Sequence, residues 1–152
     1  MAERATIQKT IDAFIENNTQ AVKQKDVSIL SAVLAKDCIR MYRPHSFTRR
    51  YPQFFKPHIT NADYEAQMKH ELQTMQDVTQ KVTRTVIDTT ERKATLWVET
   101  TVVTTDAQNT VEVIFDLDLT EDGTQVSQVT EFVDTFESTK VLEEILAQMG
   151  AK

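Results

Sequence analysis

The stretch that best indicates the fold is Asp116-Leu-Asp-Leu-Thr-Glu-Asp-Gly-Thr-Gln-Val-Ser-Gln-Val-Thr-Glu-Phe-Val-Asp-Thr-Phe136. Apolar and polar residues alternate on both sides of Asp122-Gly123, a dipeptide that readily adopts the positive φ of a tight turn. The stretch therefore predicts a β-hairpin. Its second strand ends in Glu131-Phe132-Val133-Asp134, where two carboxylates lie in an apolar context. A buried carboxylate is costly unless it is paired, so both are candidates for a functional role.

The turn also sets the register of the predicted hairpin. If pairing continues regularly from Glu121 and Thr124, Asp134 shares the strongly apolar face with Phe115, whereas Glu131 faces the other side. One β-bulge between the two carboxylates would bring both inward or exchange them. Regular pairing therefore favours Asp134 as the group that faces the core or a pocket.

Apolar residues at helical spacing predict four helices. The first covers about 6–24 and carries Asn18 on its inward stripe, an unusual position for a polar residue. A short second helix follows Asp26, which can cap it, and a third begins at Thr60 or Asn61. A final helix is expected to start at Ser138 and to end at Gly150. Its apolar positions are Val141, Leu142, Ile145, Leu146 and Met149.

The remaining regular segments have the period of two that is typical of strands. Strands are predicted over 38–43, 78–88, 93–105, 111–120 and 125–135. They are rich in Val and Thr, as a half-buried antiparallel sheet prefers. Helices followed by a long meander predict an α+β fold, in which a curved antiparallel sheet wraps around the N-terminal helices and leaves an apolar pocket at its open end.

The segment 43–59 is predicted to be an irregular loop. It holds all three prolines of the chain, four Lys or Arg residues, four aromatic residues and no acidic residue. A loop of this length is commonly a lid or a binding loop. It either closes over an anionic or aromatic substrate or folds its own aromatic side chains onto the helices.

Length, charge and cysteine content limit the class of protein. The 152 residues suit a single domain over 1–152, and the net charge of −6 argues against a nucleic-acid or anionic-membrane binder. Cys38 is the lone cysteine, which favours a reducing compartment. The first residues lack a signal-peptide core and no apolar run reaches membrane-spanning length. A cytosolic location is therefore expected. The histidines lack metal-ligand spacing, so no metal site is predicted.

The order of these motifs resembles that of a known family. The motifs are two helices, the strand Asp37-Cys38-Ile39-Arg40, Pro44, the long strands, Asp122-Gly123 and Glu131-Phe132-Val133-Asp134. Over nearly the whole chain they are similar to SnoaL-like proteins of the nuclear transport factor 2-like superfamily, which have a cystatin-like α+β barrel. The chain most resembles small fungal isomerases, cyclases and semipinacol-type rearrangement enzymes of polyketide, meroterpenoid and alkaloid pathways.

The resemblance implies further properties. Such enzymes generally need no cofactor, take hydrophobic small molecules and often form homodimers through the sheet. The resemblance therefore implies a cofactor-independent isomerase or cyclase that acts on a hydrophobic, carbonyl-bearing secondary metabolite. Because the superfamily also contains non-catalytic proteins, the alternative is a small-molecule-binding or dimerisation module on the same fold.

Three residues are the candidate catalytic groups. Asp134 is either an acid or base in the pocket or a cap for the final helix. Glu131 is either a pocket carboxylate, the role that the resemblance supports, or a solvated or dimer-facing one. Arg40 alternates with Ile39 and Met41 in the first strand. It either polarises a substrate carbonyl with its fixed donors, as the resemblance favours, or forms a salt bridge at the strand edge.

Six further residues are candidate substrate contacts: Asn18, Tyr42, Tyr64, Met68, Trp97 and Phe115. They occupy the inward stripes of the predicted helices or shared faces of the predicted strands. Ordinary core packing is the alternative for the apolar and aromatic members. A satisfied buried amide is the alternative for Asn18, and Trp97 equally suits a dimer contact.

Overall fold

The computed structural model describes residues 2–150, apart from the side chains of Ile145, Gln148 and Met149. The apolar positions predicted at Ile145 and Met149 therefore lie outside the described side chains. The helices are α1 (Arg4–Gln24), α2 (His45–Thr48), α3 (Asn61–Thr74) and α4 (Thr135–Gly150), with a 3-10 helix over Val27–Ser31. None of the described helices is both long and apolar enough to cross a membrane.

The strands form one six-stranded sheet. They are β1 (Leu34–Arg43), β2 (Ile59–Thr60), β3 (Met75–Asp88), β4 (Lys93–Thr104), β5 (Gln108–Leu119) and β6 (Val126–Phe132), in the order β2-β1-β6-β5-β4-β3. The predicted α+β architecture is confirmed. One pair departs from the antiparallel expectation, since β1 and β6 are parallel. These strands are far apart in sequence, so no hairpin fixes their relative direction.

Side-chain caps fix the starts of the 3-10 helix and of α3. The backbone N–H of Ser28 donates to Oδ1 of Asp26 at 3.0 Å, which confirms the predicted cap. The element it caps is a single 3-10 segment, and β1 begins at Leu34, four residues before the predicted strand. At α3, Thr60 and Asp63 form a reciprocal capping box, so Thr60 is the cap and Asn61 the first helical residue.

A β-bulge in the β5–β6 hairpin corrects the predicted register. Leu119 lies opposite Val126, as regular pairing requires, but Asp118 lies opposite Gln128. Ser127 is therefore an extra residue on β6, and every later residue is shifted by one. Because successive side chains of a strand point to opposite faces, one extra residue exchanges the two faces. The bulge comes before both carboxylates.

The turn of this hairpin packs against α1. Gly123 has a φ of +74° and is buried. Its carbonyl accepts a 2.6 Å hydrogen bond from Oγ1 of Thr10. A Cβ at this position would lie 2.8 Å from Cβ of Ala2 and 3.1 Å from Cγ1 of Ile7. Glycine is thus required here both by the positive φ and by the close approach of the helix.

The hydrophobic core lies between α1 and the concave face of the sheet. Phe14 of α1 meets Phe115 of β5 edge to face, with ring centroids 5.2 Å apart. Leu117, Val126 and Val129 pack in the same cluster and are fully buried. A second cluster includes residues of α1, β1 and α3 and lies towards the open end of the sheet. Between these two clusters the sheet encloses a cavity.

Candidate active site

The cavity has a volume of about 270 Å³ and is bounded by α1, α3 and the concave face of the sheet. Its walls are largely apolar, with Val22, Leu72 and Val78 among them. Seven of the nine residues proposed from the sequence lie on its wall: Asn18, Arg40, Tyr42, Tyr64, Met68, Phe115 and Glu131. A pocket of this kind, apolar with a few convergent polar groups, is typical of small-molecule sites.

The most polar part of the wall is an ion pair between Arg40 and Glu131. Nη1 of Arg40 lies 2.9 Å from Oε2 of Glu131. The side chain of Arg40 is 6% exposed and that of Glu131 is 15% exposed. Arg40 belongs to β1 and Glu131 to β6, and the parallel pairing of these strands brings the two side chains together.

The Ser127 bulge explains why Glu131 is the inward-facing carboxylate. Glu131 lies opposite Phe115, the position that regular pairing would give to Thr130. It therefore shares the concave face with Phe115 and Val129. The prediction that Glu131 points outward is wrong, because the extra residue precedes it and shifts its side chain to the other face.

Arg40 is held by an aromatic ring on one face of its guanidinium group and by a hydrogen bond at its edge. Its Cζ lies 3.8 Å from the centroid of the Tyr64 ring, a cation–π contact. Nη1 donates to Glu131, and no other side-chain hydrogen bond joins Arg40 to the described residues. Arg40 lines the cavity, and its other guanidinium N–H groups have no hydrogen-bond partner among the described residues. They are free to donate to a bound oxygen atom.

The protonation states of the ionisable side chains on the cavity wall follow from their burial and from their charged neighbours. Burial raises the pKa of Glu131 above its ordinary value of 4.5, and nearby Arg40 limits the shift. Burial lowers the pKa of Arg40, but Tyr64, Tyr42 and Glu131 outweigh it and the pKa rises, so the guanidinium stays charged. Burial also raises the pKa of Tyr64 to about 12 and that of Tyr42 well above its usual range. Both phenols are therefore neutral donors near pH 7.

A second polar group on the wall joins α1 to β3 and β4. Nδ2 of Asn18 donates to Oε1 of Gln80 at 2.8 Å, and Nε2 of Gln80 donates to Oγ1 of Thr100 at 3.3 Å. Asn18 is thus a hydrogen-bonded amide, as its alternative interpretation held, and it also lines the cavity. Sequence reasoning missed Gln80 and Thr100. Their signal was weak, because Gln80 lies on a strand that is polar on both faces and Thr100 is a polar residue on the largely apolar inward face of β4.

The mouth of the cavity lies between α3 and the C-terminal helix. A neighbouring space of about 260 Å³ shares Tyr42, Gln67, Glu71 and Val111 with the cavity and extends to Leu142 of α4. Glu71 is exposed at this mouth and raises the pKa of Glu131 by electrostatic repulsion. Gln67 and Glu71 were not proposed from the sequence because they are polar, although they lie three residues after Tyr64 and Met68 and so share the face of α3 that lines the cavity.

Asp134 and Trp97 lie outside the cavity. Oδ1 of Asp134 accepts a 3.0 Å hydrogen bond from the backbone N–H of Glu137, so Asp134 caps α4. Its alternative interpretation as a cap is confirmed. The predicted cap at Ser138 is wrong, because the helix begins at Thr135. Trp97 lies on the convex face of the sheet, in a groove of about 440 Å³ that Asp134 also lines.

Histidine, cysteine and acidic side chains are the usual metal ligands in proteins. Within residues 2–150, no three of them are grouped so that they could hold a metal ion. Cys38 is buried, and burial raises its pKa to about 11, which makes a reactive thiolate unfavourable.

The fold is that of the nuclear transport factor 2-like class. An NTF2-like protein of unknown function from Burkholderia pseudomallei K96243 superposes with a TM-score of 0.66 at 13% identity, over 89% of this chain and 95% of that chain. The resemblance to SnoaL-like proteins of this superfamily is confirmed at the level of the fold. No protein-family model matches the sequence, and comparison with curated proteins gives no match either.

Fungal proteins are among the solved structures with this fold. The BvnE pinacolase from Penicillium brevicompactum superposes with a TM-score of 0.82 at 15% identity, over 95% of this chain and 93% of that chain. AusH from Aspergillus nidulans superposes with a TM-score of 0.73 at 19% identity, over 88% of this chain and 87% of that chain. At these identities the likeness concerns the fold.

Proposed function

We propose that this protein is a cofactor-independent isomerase or cyclase that acts on a hydrophobic, carbonyl-bearing metabolite in the cavity. The observation that carries the proposal is the Arg40–Glu131 pair, a nearly buried cation and carboxylate 2.9 Å apart on an otherwise apolar wall. Its support includes the fold shared with a pinacolase. We place the activity in the cytosol, as expected for a chain with a single cysteine.

Glu131 is the proton shuttle in this mechanism. As a carboxylate it removes a proton from the carbon next to the substrate carbonyl, and the electron pair of the C–H bond moves to the carbonyl oxygen. Its raised pKa makes it a stronger base than an exposed glutamate. Protonated Glu131 then returns the proton to a different carbon of the rearranged or cyclised product. The proton balance of the protein is restored in each turnover, and no external electron acceptor is consumed.

Arg40 stabilises the charge that develops on the carbonyl oxygen. Its N–H groups that do not bind Glu131 donate to the oxygen, and the guanidinium stays charged because its neighbours raise its pKa. Such donors are most effective when they are fixed before the reaction and screened from water. The Tyr64 ring and Glu131 fix the guanidinium, and the apolar wall excludes water from it.

The test compares products formed by the wild-type protein and by two variants. Purified protein is incubated with intermediates or extracts of its host pathway, beside Glu131→Gln and Arg40→Met. Glu112→Gln is the matched control, since Glu112 is exposed and points away from the cavity. We expect a new product with wild type and control, and a loss of about 10²-fold or more in its rate with the two variants. Equal product formation by all four folded proteins would contradict the proposal.

The second candidate is a non-catalytic binding module. The observation that favours it is the direct contact between Arg40 and Glu131. An ion pair between two residues of a cavity wall can stabilise the shape of the cavity without taking part in a reaction. Trp97 is on the other face of the sheet, so its emission is a poor probe of the cavity. Calorimetric binding of pathway intermediates without any product, in the wild type as in Glu131→Gln, would favour this candidate.

We also propose a homodimer formed through the convex face of the sheet. Trp97, Ile114 and Phe132 lie opposite one another on three neighbouring strands of that face, and Phe132 is 45% exposed. An exposed apolar row of this kind is typical of an interface. Light scattering is expected to give twice the chain mass for the wild type and the single mass for Phe132→Asp. Val141→Asp on α4 is the control, and a monomeric wild type would contradict the dimer.

A further inference from the structure

Another depression lies on the other side of β1 and shares Tyr42 with the cavity. It has a volume of about 520 Å³ and lies between Met41 and Arg43 of β1 and the segment 45–58. We call it the basic groove, because five of its lining residues are cationic or can be protonated: Arg43, His45, Arg49, Lys56 and His58. No Asp or Glu among the described residues lines it.

The two arginines of the basic groove are oriented but not neutralised. Nη1 of Arg43 donates to the carbonyl oxygen of Tyr42 at 2.9 Å, and Nε of Arg49 donates to that of His45 at 3.3 Å. Neither arginine forms a salt bridge with a described residue, whereas Lys56 lies 3.6 Å from Asp63. Each guanidinium therefore keeps free N–H groups and its full charge.

The wall of the basic groove is fixed by aromatic packing. Phe55 packs on Tyr42 and on Phe47, with ring centroids 5.1 and 5.4 Å apart, and Phe47 packs on Tyr51. Tyr51 is 2% exposed and Phe47 is 6% exposed. The segment that carries the cations is thus anchored to the protein. A preformed site of this kind loses little conformational entropy on binding.

Charge and shape together indicate what the groove binds. The chain as a whole carries a net charge of −6 and repels anions. Arginines that line one depression without a carboxylate partner repel one another, and a bound anion relieves that repulsion. Guanidinium groups with free N–H pairs match the planar oxygens of carboxylates and the oxygens of phosphates.

We propose that the basic groove is a binding site for an oxyanion, either a carboxylate or a phosphate. The anion has two possible sources, a free ion or the charged end of a larger ligand whose apolar body enters the protein. The groove and the cavity share Tyr42, whose ring packs against Phe55 between them. The proposal does not depend on the isomerase mechanism, since it concerns equilibrium binding alone.

The test is a titration of the protein with inorganic phosphate, followed by NMR of the histidine rings at constant pH and ionic strength. His45 and His58 line the groove, whereas His70 is exposed on α3 and serves as an internal control. We expect saturable shifts of the His45 and His58 ring signals and no such shift for His70. Equal small shifts of all three histidines, or none, would overturn the proposal.

Two variants test whether the groove cations hold the anion. Arg49 and Lys56 are exposed, so Arg49→Gln combined with Lys56→Gln is expected to fold normally. It should weaken phosphate binding by about tenfold, since each lost cation removes a charge-assisted contact to the anion. Lys69→Gln on α3 is the matched control. Unchanged affinity in the double variant would contradict the assigned residues.

A second titration with phenyl phosphate distinguishes the two sources. If the anion is the end of a larger ligand, phenyl phosphate binds more tightly than inorganic phosphate and also shifts the ring signals of Tyr42 and Phe55. If the anion is a free ion, the two probes bind equally. Both results support an oxyanion site, and binding of phenyl phosphate without shifts of His45 and His58 would contradict it. The titration measures binding and not turnover, so its result can be interpreted even if the protein has no isomerase activity.

Discussion

Nη1 of Arg40 and Oε2 of Glu131 lie 2.9 Å apart across two parallel strands, with both side chains almost removed from solvent. Partners in a pair of this kind are strongly coupled, because each compensates the desolvation of the other. The pair therefore connects the stability of the fold with the chemistry proposed for the cavity.

A double-mutant cycle should reveal this coupling. Arg40→Met alone leaves Glu131 buried without its cation, and Glu131→Leu alone leaves the cation without its anion. Each is expected to lower the free energy of unfolding by roughly 3–5 kcal/mol. The double variant should recover much of that loss, because neither charge remains buried. Urea denaturation measures the four values, and additive single effects would contradict a coupled pair.

The stability of the protein should depend on pH through Glu131. Burial raises its pKa in the folded state above the ordinary value of 4.5. A carboxyl group with a raised folded-state pKa contributes stability below its unfolded-state pKa and loses it as the pH rises through the folded-state pKa. The unfolding free energy of the wild type, relative to that of Glu131→Gln, should therefore fall as the pH rises from the unfolded-state pKa to the folded-state pKa of Glu131. Denaturation at a series of pH values measures it, and a constant difference would be inconsistent with the raised pKa.

Asp134 should act on stability rather than on turnover. Its side chain caps α4 through the N–H of Glu137. Asp134→Ala is expected to cost about 1 kcal/mol, the usual value for a lost cap. Asp134→Asn should retain most of the stability, because an amide oxygen also accepts this bond. Both variants should form product at the wild-type rate. A variant that folds as stably as the wild type but is inactive would return Asp134 to the catalytic candidates.

Substitution by alanine should have opposite effects on stability at the two glycines of the chain. Gly123 has a φ of +74° and a Cβ there would lie 2.8 Å from Cβ of Ala2, whereas a Cβ at Gly150 meets nothing within 4 Å. Gly123→Ala should be destabilising by more than about 1 kcal/mol. Gly150→Ala, at the end of α4, should be neutral or slightly stabilising. Thermal denaturation compares them, and equal melting temperatures would argue against the close packing of the turn on α1.

Much of the fold was predictable because it depends on local patterns. The periods of 3.6 and 2 located the helices and long strands, Asp26 was identified as a cap from residue type and position, and the start of α3 was narrowed to Thr60 or Asn61. The inward positions of Tyr42 and Tyr64 also followed from periodicity. Strand ends were less predictable, as at Leu34, because pairing with a distant strand extends β1 beyond its alternating segment.

The candidate site was only partly predictable because it depends on relations between distant segments. Arg40 and Glu131 were both proposed, but the contact between them arises from the parallel pairing of β1 with β6. Gln80 and Thr100 carried no distinctive pattern, and only the curvature of the sheet brings them to the cavity beside Asn18. The segment 43–59 was recognised as basic and aromatic, yet its groove exists only in the folded chain.

The sequence by itself determined an α+β chain with a hairpin at Asp122-Gly123 and two carboxylates near the end of its second strand. It did so because turn chemistry and hydrophobic periodicity act over a few residues. Only the tertiary structure decided which carboxylate faces the cavity. One extra residue at Ser127 exchanges the two faces of β6, so Glu131 meets Arg40 and Asp134 is left to cap α4. A bulge of this kind is selected by the packing of β6 between two neighbouring strands, which no local pattern records.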